Sequence, residues 1–387
     1  MGLLRLATVN LAPMLLNAPL LNNAVTLPRE QSVRQILETT LDPFLQRDYA
    51  SLGAIDELSV HDDQIFLKLK LGYRGITSEA RIALSVKAKL QAAGFADPQV
   101  EISGEVTACP GQTGTGHLRE IKNIIMVASG KGGVGKSTTA VNLALALHAE
   151  GAKVGLLDAD IYGPSQRTML GVADDVKPEL VDEKFLKPVV RMGIKSMSVG
   201  YLSEEKAPMI WRGPMATRML SQLLEQTIWG ELDYLVVDMP PGTGDIQISL
   251  AQKLSVSGAV VVTTPQEVAL IDARKGIEMF NKVGIPVLGI VENMATHICS
   301  NCGYEESIFG QHGAQTMAQE YNTAMLGSLP LDARIREDVD QGMPTVATDP
   351  LGALSAAYIA VGQQVAAQLW LNNKVMHAPP SIVMVED

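Results

Sequence analysis

Between residues 121 and 371 the chain alternates two hydrophobic patterns. Short, nearly unbroken apolar runs at Asn123–Ala128, Lys153–Leu157, Ile194–Val199, Tyr234–Asp238, Ala259–Thr263 and Pro286–Val291 have the length and composition of buried strands. Between most of them lie stretches whose apolar residues recur at helical spacing. Ser137–Glu150 carries Ala140, Leu143, Ala144 and Leu147 on one face before Gly151 offers a stop; Arg212–Gln226 and Ala269–Val283 read the same way. This alternation predicts an α/β fold with a mostly parallel, doubly wound sheet covered on both faces. Leu351–Leu371 reads as a closing helix, and residues 373–387 as a loose tail.

Residues 31–106 follow a different plan, that of a small α+β domain. Ser32 is expected to cap a helix running to Leu45; Ile55–Val60 and Gln64–Leu71 read as strands meeting at His61-Asp62-Asp63; Ser78–Ala93 reads as a second helix and Pro98–Ile102 as a last strand. Thr107–Gly116, rich in Gly, Thr and Pro, opens a linker expected over 107–120, with Cys109 an incidental thiol in it. The main domain is then 121–372. Residues 1–30 are expected to be a disordered extension: Met1–Ala24 is apolar, but Asn10, Pro13, Asn17 and Pro19 interrupt it and Arg5 is its one basic residue, a poor secretory signal.

Composition narrows the function classes. A length of 387 residues leaves room for two domains, 47% hydrophobic content supplies ample core, and 4% aromatic suits one packed from Val, Ile, Leu and Ala. A net charge of −11 argues against a general nucleic-acid or anionic-membrane binder, and no apolar run reaches spanning length. Three cysteines do not make a disulfide framework, so reduced thiols, a cytoplasmic setting and metal binding are expected.

The chemistry centres on Gly130-Lys131-Gly132-Gly133-Val134-Gly135-Lys136-Ser137-Thr138, which contains the G-x-x-x-x-G-K-[ST] pattern of a phosphate-binding loop. Glycines let the backbone wrap a polyphosphate with its N–H groups turned inward. Lys136 is expected on the β- and γ-phosphates of ATP and the Ser137 hydroxyl on Mg²⁺. An apolar run precedes the loop and a helical pattern follows, so it lies at a helix N-terminus that favours an anion.

Lys131, directly after the first glycine, is not required by the ordinary loop. With it the stretch resembles the deviant Walker A loop of the MinD/ParA/nitrogenase-iron-protein group of dimeric ATPases. That resemblance implies a P-loop NTPase sheet and a Lys131 that reaches across a dimer interface to the partner's nucleotide.

Two carboxylate motifs follow strand ends. Val236-Val237-Asp238 is a Walker B arrangement holding Mg²⁺, and Pro240-Pro241-Gly242-Thr243-Gly244-Asp245 continues as a second switch, with Asp245 available to cap a helix. Leu157-Asp158-Ala159-Asp160 resembles the first switch of the deviant family, which implies that Asp160 orients or deprotonates the attacking water while Asp158 supports the Mg²⁺ shell. Asn293, at the end of another strand, matches the residue that reads adenine in that family.

The last motif is His297-Ile298-Cys299-Ser300-Asn301-Cys302-Gly303. C-x-x-C lets two thiolates face one metal, and no second such pair exists, so one chain supplies half of a four-thiolate site. By residue chemistry alone this is half of an iron–sulfur site, a zinc site completed by His297, or a redox pair. Position and spacing are similar to the Mrp/ApbC-type iron–sulfur carrier ATPases, and residues 31–106 resemble the small domain often fused ahead of them, although the cysteine found in many such domains is absent. The resemblance implies a homodimer whose subunits share one [4Fe–4S] cluster on Cys299 and Cys302 of each and transfer it to apo iron–sulfur proteins. The alternative is a MinD/ParA-like positioning switch with a zinc or redox C-x-x-C. It predicts a basic amphipathic C-terminal helix or patch, and Val375–Asp387 has neither.

Overall fold

The computed structural model describes residues 29–61, 64–110, 116–202 and 213–377. The first part holds α1 (Arg29–Glu38), β1 (Ile55–His61), β2 (Gln64–Leu71), α2 (Ile76–Ala92) and β3 (Gln99–Gly104). β1 and β2 form an antiparallel pair and β3 adds parallel to β2, giving a three-stranded sheet. Alternate residues Ile65, Leu67, Leu69 and Leu71 of β2 are buried and face Val33, Leu37, Ile82, Val86 and Leu90 of the two helices.

The expected helix from Ser32 to Leu45 differs at both ends. Ser32 lies within α1, and the helix stops at Glu38, where Thr39 and Thr40 turn back to Ile36 and Leu37. Beyond it the buried Asp42 closes a local turn by accepting the N–H groups of Phe44 and Leu45, each at 2.9 Å. A carboxylate satisfying its own neighbours, with Pro43 disfavouring the α conformation before it, outweighs the continuing apolar period.

The main sheet begins with β4 (Ile121–Ala128), followed by α3 (Lys136–Ala149), β5 (Val154–Asp158) and the one-turn α4 (Gln166–Met169). A small ribbon, β6 (Leu180–Val181) with β7 (Phe185–Leu186), leads to β8 (Val189–Arg191) and β9 (Ile194–Ser198). Then come α5 (Gly213–Gln226), β10 (Leu232–Asp238), α6 (Asp245–Lys253), β11 (Gly258–Thr263), α7 (Glu267–Lys282) and β12 (Val287–Glu292). A two-stranded hairpin, β13 (His297–Ile298) with β14 (Glu305–Glu306), precedes α8 (Gly313–Glu320), β15 (Ala324–Ser328), α9 (Ala333–Asp340), α10 (Thr345–Thr348) and α11 (Ala353–His377).

The strands assemble in the order β15-β12-β11-β4-β10-β5-β9-β8, parallel except for the edge pair β8–β9. β10 and β11 are buried along their whole length, as sheet strands covered on both faces must be. α3 is apolar nearly all round and is buried against the sheet and α11.

Three expectations meet differences here. β8, β15 and the short helices α8 to α10 were not anticipated, because three- and five-residue strands with half-buried sides carry little periodic signal. The closing helix runs on to His377, so residues 373–377 of the expected tail are helical, and Asn373 is buried with its amide donating to Asn123 Oδ1 at 3.1 Å. Part of the expected linker is tied to β4: Asn123 donates to Thr107 O at 2.8 Å, and the Cys109 N–H to Lys122 O at 3.0 Å. Of the expected extension 1–30 only Arg29 and Glu30, which open α1, are described. Asp62 and Asp63 of the expected turn also lie outside the described residues.

The two parts of the chain meet across a polar cluster. Thr77, in the first turn of α2, and Gln363 of α11 both bond the buried Glu150 at the end of α3 (Thr77 N–H to Oε2 3.1 Å, Gln363 Nε2 to Oε1 3.1 Å, and the Thr77 hydroxyl to Oε1). Beside it the rings of Tyr73 and Trp370 lie 5.8 Å apart between centroids.

Candidate functional site

The parallel register brings the candidate residues to one sheet edge. Asp238 ends β10 level with Asp158 of β5 on one side and Val127 of β4 on the other, so the phosphate loop and both carboxylate motifs emerge together.

Within the loop, Gly130 packs so closely on the backbone of Asp272 in α7 that a Cβ would lie 2.2 Å from its carbonyl. Gly135 has φ +83° and sits against Asn293, where a Cβ would come within 2.1 Å of Nδ2. A Cβ at Gly132 or Gly133 would meet nothing within 4 Å, so the middle of the loop is open. The loop is thus braced at both ends and accessible between them, as a polyphosphate cradle requires. Val134 is buried, and Ser137 and Thr138 are half-buried at the start of α3.

Lys136 is 6% exposed; its ammonium forms an ion pair with Asp238 Oδ1 and reaches the Ser137 hydroxyl at 3.1 Å. A positive charge already sits between the hydroxyl and carboxylate expected to hold Mg²⁺. Hard oxygen donors around that point fit a small divalent cation. Lys131 is half-buried, and its ammonium makes no ion pair among the described residues. Its carbonyl accepts the Ser129 hydroxyl at 2.9 Å.

Asp158 organises the first switch. Its Oδ1 accepts the Asp160 N–H at 3.1 Å; its Oδ2 accepts the N–H groups of Ser165 and Gln166, each at 3.1 Å, and the Ser198 hydroxyl at 2.9 Å. Burial, and then the charge of Asp238, push its carboxyl up to about 7. Asp160 is half-buried, with Oδ1 accepting the Gly163 N–H at 3.3 Å. Burial raises its carboxyl too, opposed by the nearby Lys136 charge. The second switch is tied to the loop's base: the Gly242 N–H donates to Ser129 O at 2.9 Å, and Gln247 holds the Pro241 carbonyl at 2.7 Å. Asp245 is the first residue of α6, whose N-cap is Gly244.

Asn293 follows β12, buried, with Nδ2 donating to Val134 O at 2.8 Å, so it braces the phosphate loop from below. Four residues on, His297 opens the cysteine hairpin. The Cys299 N–H donates to Tyr304 O at 2.9 Å, and the Gly303 N–H to Cys299 O at 2.8 Å, closing a turn that carries both thiols. Cys299 is half-buried and Cys302 exposed. The backbone N–H groups of Cys302 and Asn301 hold the Cys299 thiol below its usual range, which favours the thiolate a metal needs. His297 Nδ1 lies 3.1 Å from the Leu331 carbonyl. Among the described residues no three His, Cys, Asp or Glu side chains converge as a metal site.

Two residues of this neighbourhood escaped the sequence reading. Gln166 donates to Asp238 Oδ2 at 2.8 Å and to Ser137 O at 3.1 Å, and Ser198 holds Asp158. Neither lies in a recognisable motif position.

The sequence profile of the NUBPL iron-transfer P-loop NTPases matches residues 120–366, and that of an iron–sulfur cluster assembly protein matches residues 30–102. The chain belongs to the iron-transfer P-loop NTPase family. It is 44% identical to the iron–sulfur cluster carrier protein of Haemophilus influenzae over 94% of its own length and 97% of the relative's. To the carrier protein of Escherichia coli K12 it is 48% identical over 86% of this chain and 90% of that one. Among solved structures, a nucleotide-binding protein of Archaeoglobus fulgidus in complex with ADP aligns with TM-score 0.52 at 39% identity, covering 58% of this chain and 88% of the other. The mixed sheet with its phosphate loop is thus the P-loop NTPase fold. Among the described residues no helix is long and apolar enough to cross a membrane.

Proposed function

We propose that this chain is a cytoplasmic, homodimeric ATPase that holds one [4Fe–4S] cluster between its subunits and transfers it to apo iron–sulfur proteins. One connection carries the reading. The strand that brings Asn293 under the phosphate loop leads, within a few residues, into the Cys299–Cys302 hairpin. A change at the nucleotide therefore has a short mechanical route to the thiols. Membership of a family whose relatives bear the name iron–sulfur cluster carrier supports it further.

ATP is the substrate. Water attacks the γ-phosphorus in line, a P–O bond forms as the bond to the β-phosphate oxygen breaks, and ADP and phosphate leave. Gly130, Gly132, Gly133, Val134 and Gly135 line the polyphosphate with main-chain N–H groups, Thr138 closes the cradle, and Lys136 turns from Asp238 to the β- and γ-phosphates. Mg²⁺, held by Ser137 and Asp238, supplies charge neutralisation when bound. Asp158 supports that shell by holding the first switch in place. Asp160 orients the water and takes its proton, a role its burial-raised carboxyl suits. The partner subunit's Lys131 adds positive charge where negative charge develops. Asn293 reads the adenine. The cluster is cargo, held by Cys299 and Cys302 of each subunit.

The test is anaerobic reconstitution of the full chain, followed by incubation with an apo-[4Fe–4S] enzyme and assay of that enzyme. Recovery of its activity together with loss of iron from this protein is expected. A zinc-loaded protein that hydrolyses ATP and restores nothing would leave the positioning-switch reading in its place.

A further inference from the structure

Beside Lys136, Gln166 is the second side chain bonded to the Walker B carboxylate. It is 1% exposed, and its Nε2 donates to Asp238 Oδ2 at 2.8 Å and to the Ser137 carbonyl at 3.1 Å. Both partners are acceptors, so the amide's orientation is fixed: nitrogen toward Asp238, oxygen elsewhere. That oxygen, Oε1, is fully buried and has no hydrogen-bond partner among the described residues. A buried amide oxygen without a donor is costly to keep. Asp158 holds the Gln166 N–H at 3.1 Å, which pins the residue in this position from its backbone as well.

We infer that Gln166 is a positioning residue of the magnesium site. Its Nε2 occupies Asp238 Oδ2 and leaves Oδ1 to Lys136; its unpartnered Oε1 would be an acceptor for a water on the metal that Ser137 and Asp238 would hold. One amide thereby links the first switch, the Walker B strand and the start of α3. The residues on either side of the metal are then registered before it arrives. This inference rests on the nucleotide reading of the loop and deepens it.

The experiment measures the affinity of the full-length chain for a fluorescent ADP in EDTA and across a Mg²⁺ titration. Wild type should bind more tightly as Mg²⁺ is added. Gln166→Leu and Gln166→Met, which keep the size but remove donor and acceptor, should raise the Mg²⁺ concentration for half the effect about tenfold or more. Their affinity in EDTA should stay within about twofold of wild type, which a role confined to the fold would not give. Three results overturn the inference: an unchanged Mg²⁺ midpoint in either folded variant, an equal loss of affinity with and without metal, or failure of both variants to fold. Absence of nucleotide binding in wild type would instead sink the nucleotide assignment itself.

Discussion

The nucleotide end of this protein is a cluster of charges that satisfy one another. Lys136, Asp238, Gln166, Asp158 and Ser198 form a hydrogen-bonded chain from the phosphate loop to β9. Asp160 lies beside that chain, and its second oxygen makes no hydrogen bond within the described residues. Asp160→Asn should therefore leave ATP binding within about threefold of wild type while lowering turnover about a hundredfold or more, since general-base contributions run to that order. Equilibrium binding beside single-turnover hydrolysis separates the two effects, and a parallel fall in both would move Asp160 into the metal shell or the fold. Lys131→Ala should also spare binding and lower hydrolysis, because its ammonium has no ion-pair partner among the described residues. Unchanged turnover would remove the trans role. At this scale the loop, the two strand-end aspartates and the cysteine pair were legible in the sequence, since each motif carries its spacing with it. Gln166 was not, because its carboxylate partner lies 72 residues away and nothing local marks the contact.

Among the elements, legibility followed burial. The central strands β10 and β11 are buried on both faces and announce themselves as apolar runs, whereas β8 and β15 are edge strands with half-exposed sides. The early stop of α1 was decided by Asp42 bonding its own neighbours, a local competition that hydrophobic periodicity does not record. The same blindness hid Glu150, which ends α3 and receives the Thr77 N–H from 73 residues away. Glu150 is 1% exposed, and Thr77 and Gln363 both depend on it. Glu150→Ala would remove the acceptor of the buried Gln363 amide and of the exposed Thr77, at a cost of about 1–3 kcal/mol. Denaturant unfolding should show that loss. ATP affinity should hold, because Glu150 and Lys136 stand at opposite ends of the 14-residue α3, about 20 Å apart along its axis. A fall in ATP affinity equal to the fall in stability would mean that α3 transmits strain from the small sheet to the loop.

For the molecule as a whole, the nucleotide and thiol sites share the C-terminal edge of the sheet, while the small sheet is seated near the end of α3 remote from the loop. On the proposed reading the thiol hairpin is also the part that one chain would leave incomplete. It offers two cysteines, Cys302 is exposed, and the neighbouring Ile298, Tyr304 and Ile308 are 55%, 66% and 52% exposed. An apolar rim around a half-filled ligand set suits a second copy related by a two-fold axis, which would cover the rim and complete the ligands in one step. Reconstituted protein should then hold about four iron and four sulfide per two chains and sediment as a dimer. Cys299→Ser or Cys302→Ser should lose the cluster and weaken the dimer but keep ATP binding, since the phosphate cradle is built from other residues. Cys109→Ser should change neither, because Cys109 is bonded beside Lys122 at the opposite, N-terminal end of β4. A cluster retained by a monomer, or one that survives Cys299→Ser, would require ligands other than this pair and would break the link between dimer formation and cargo.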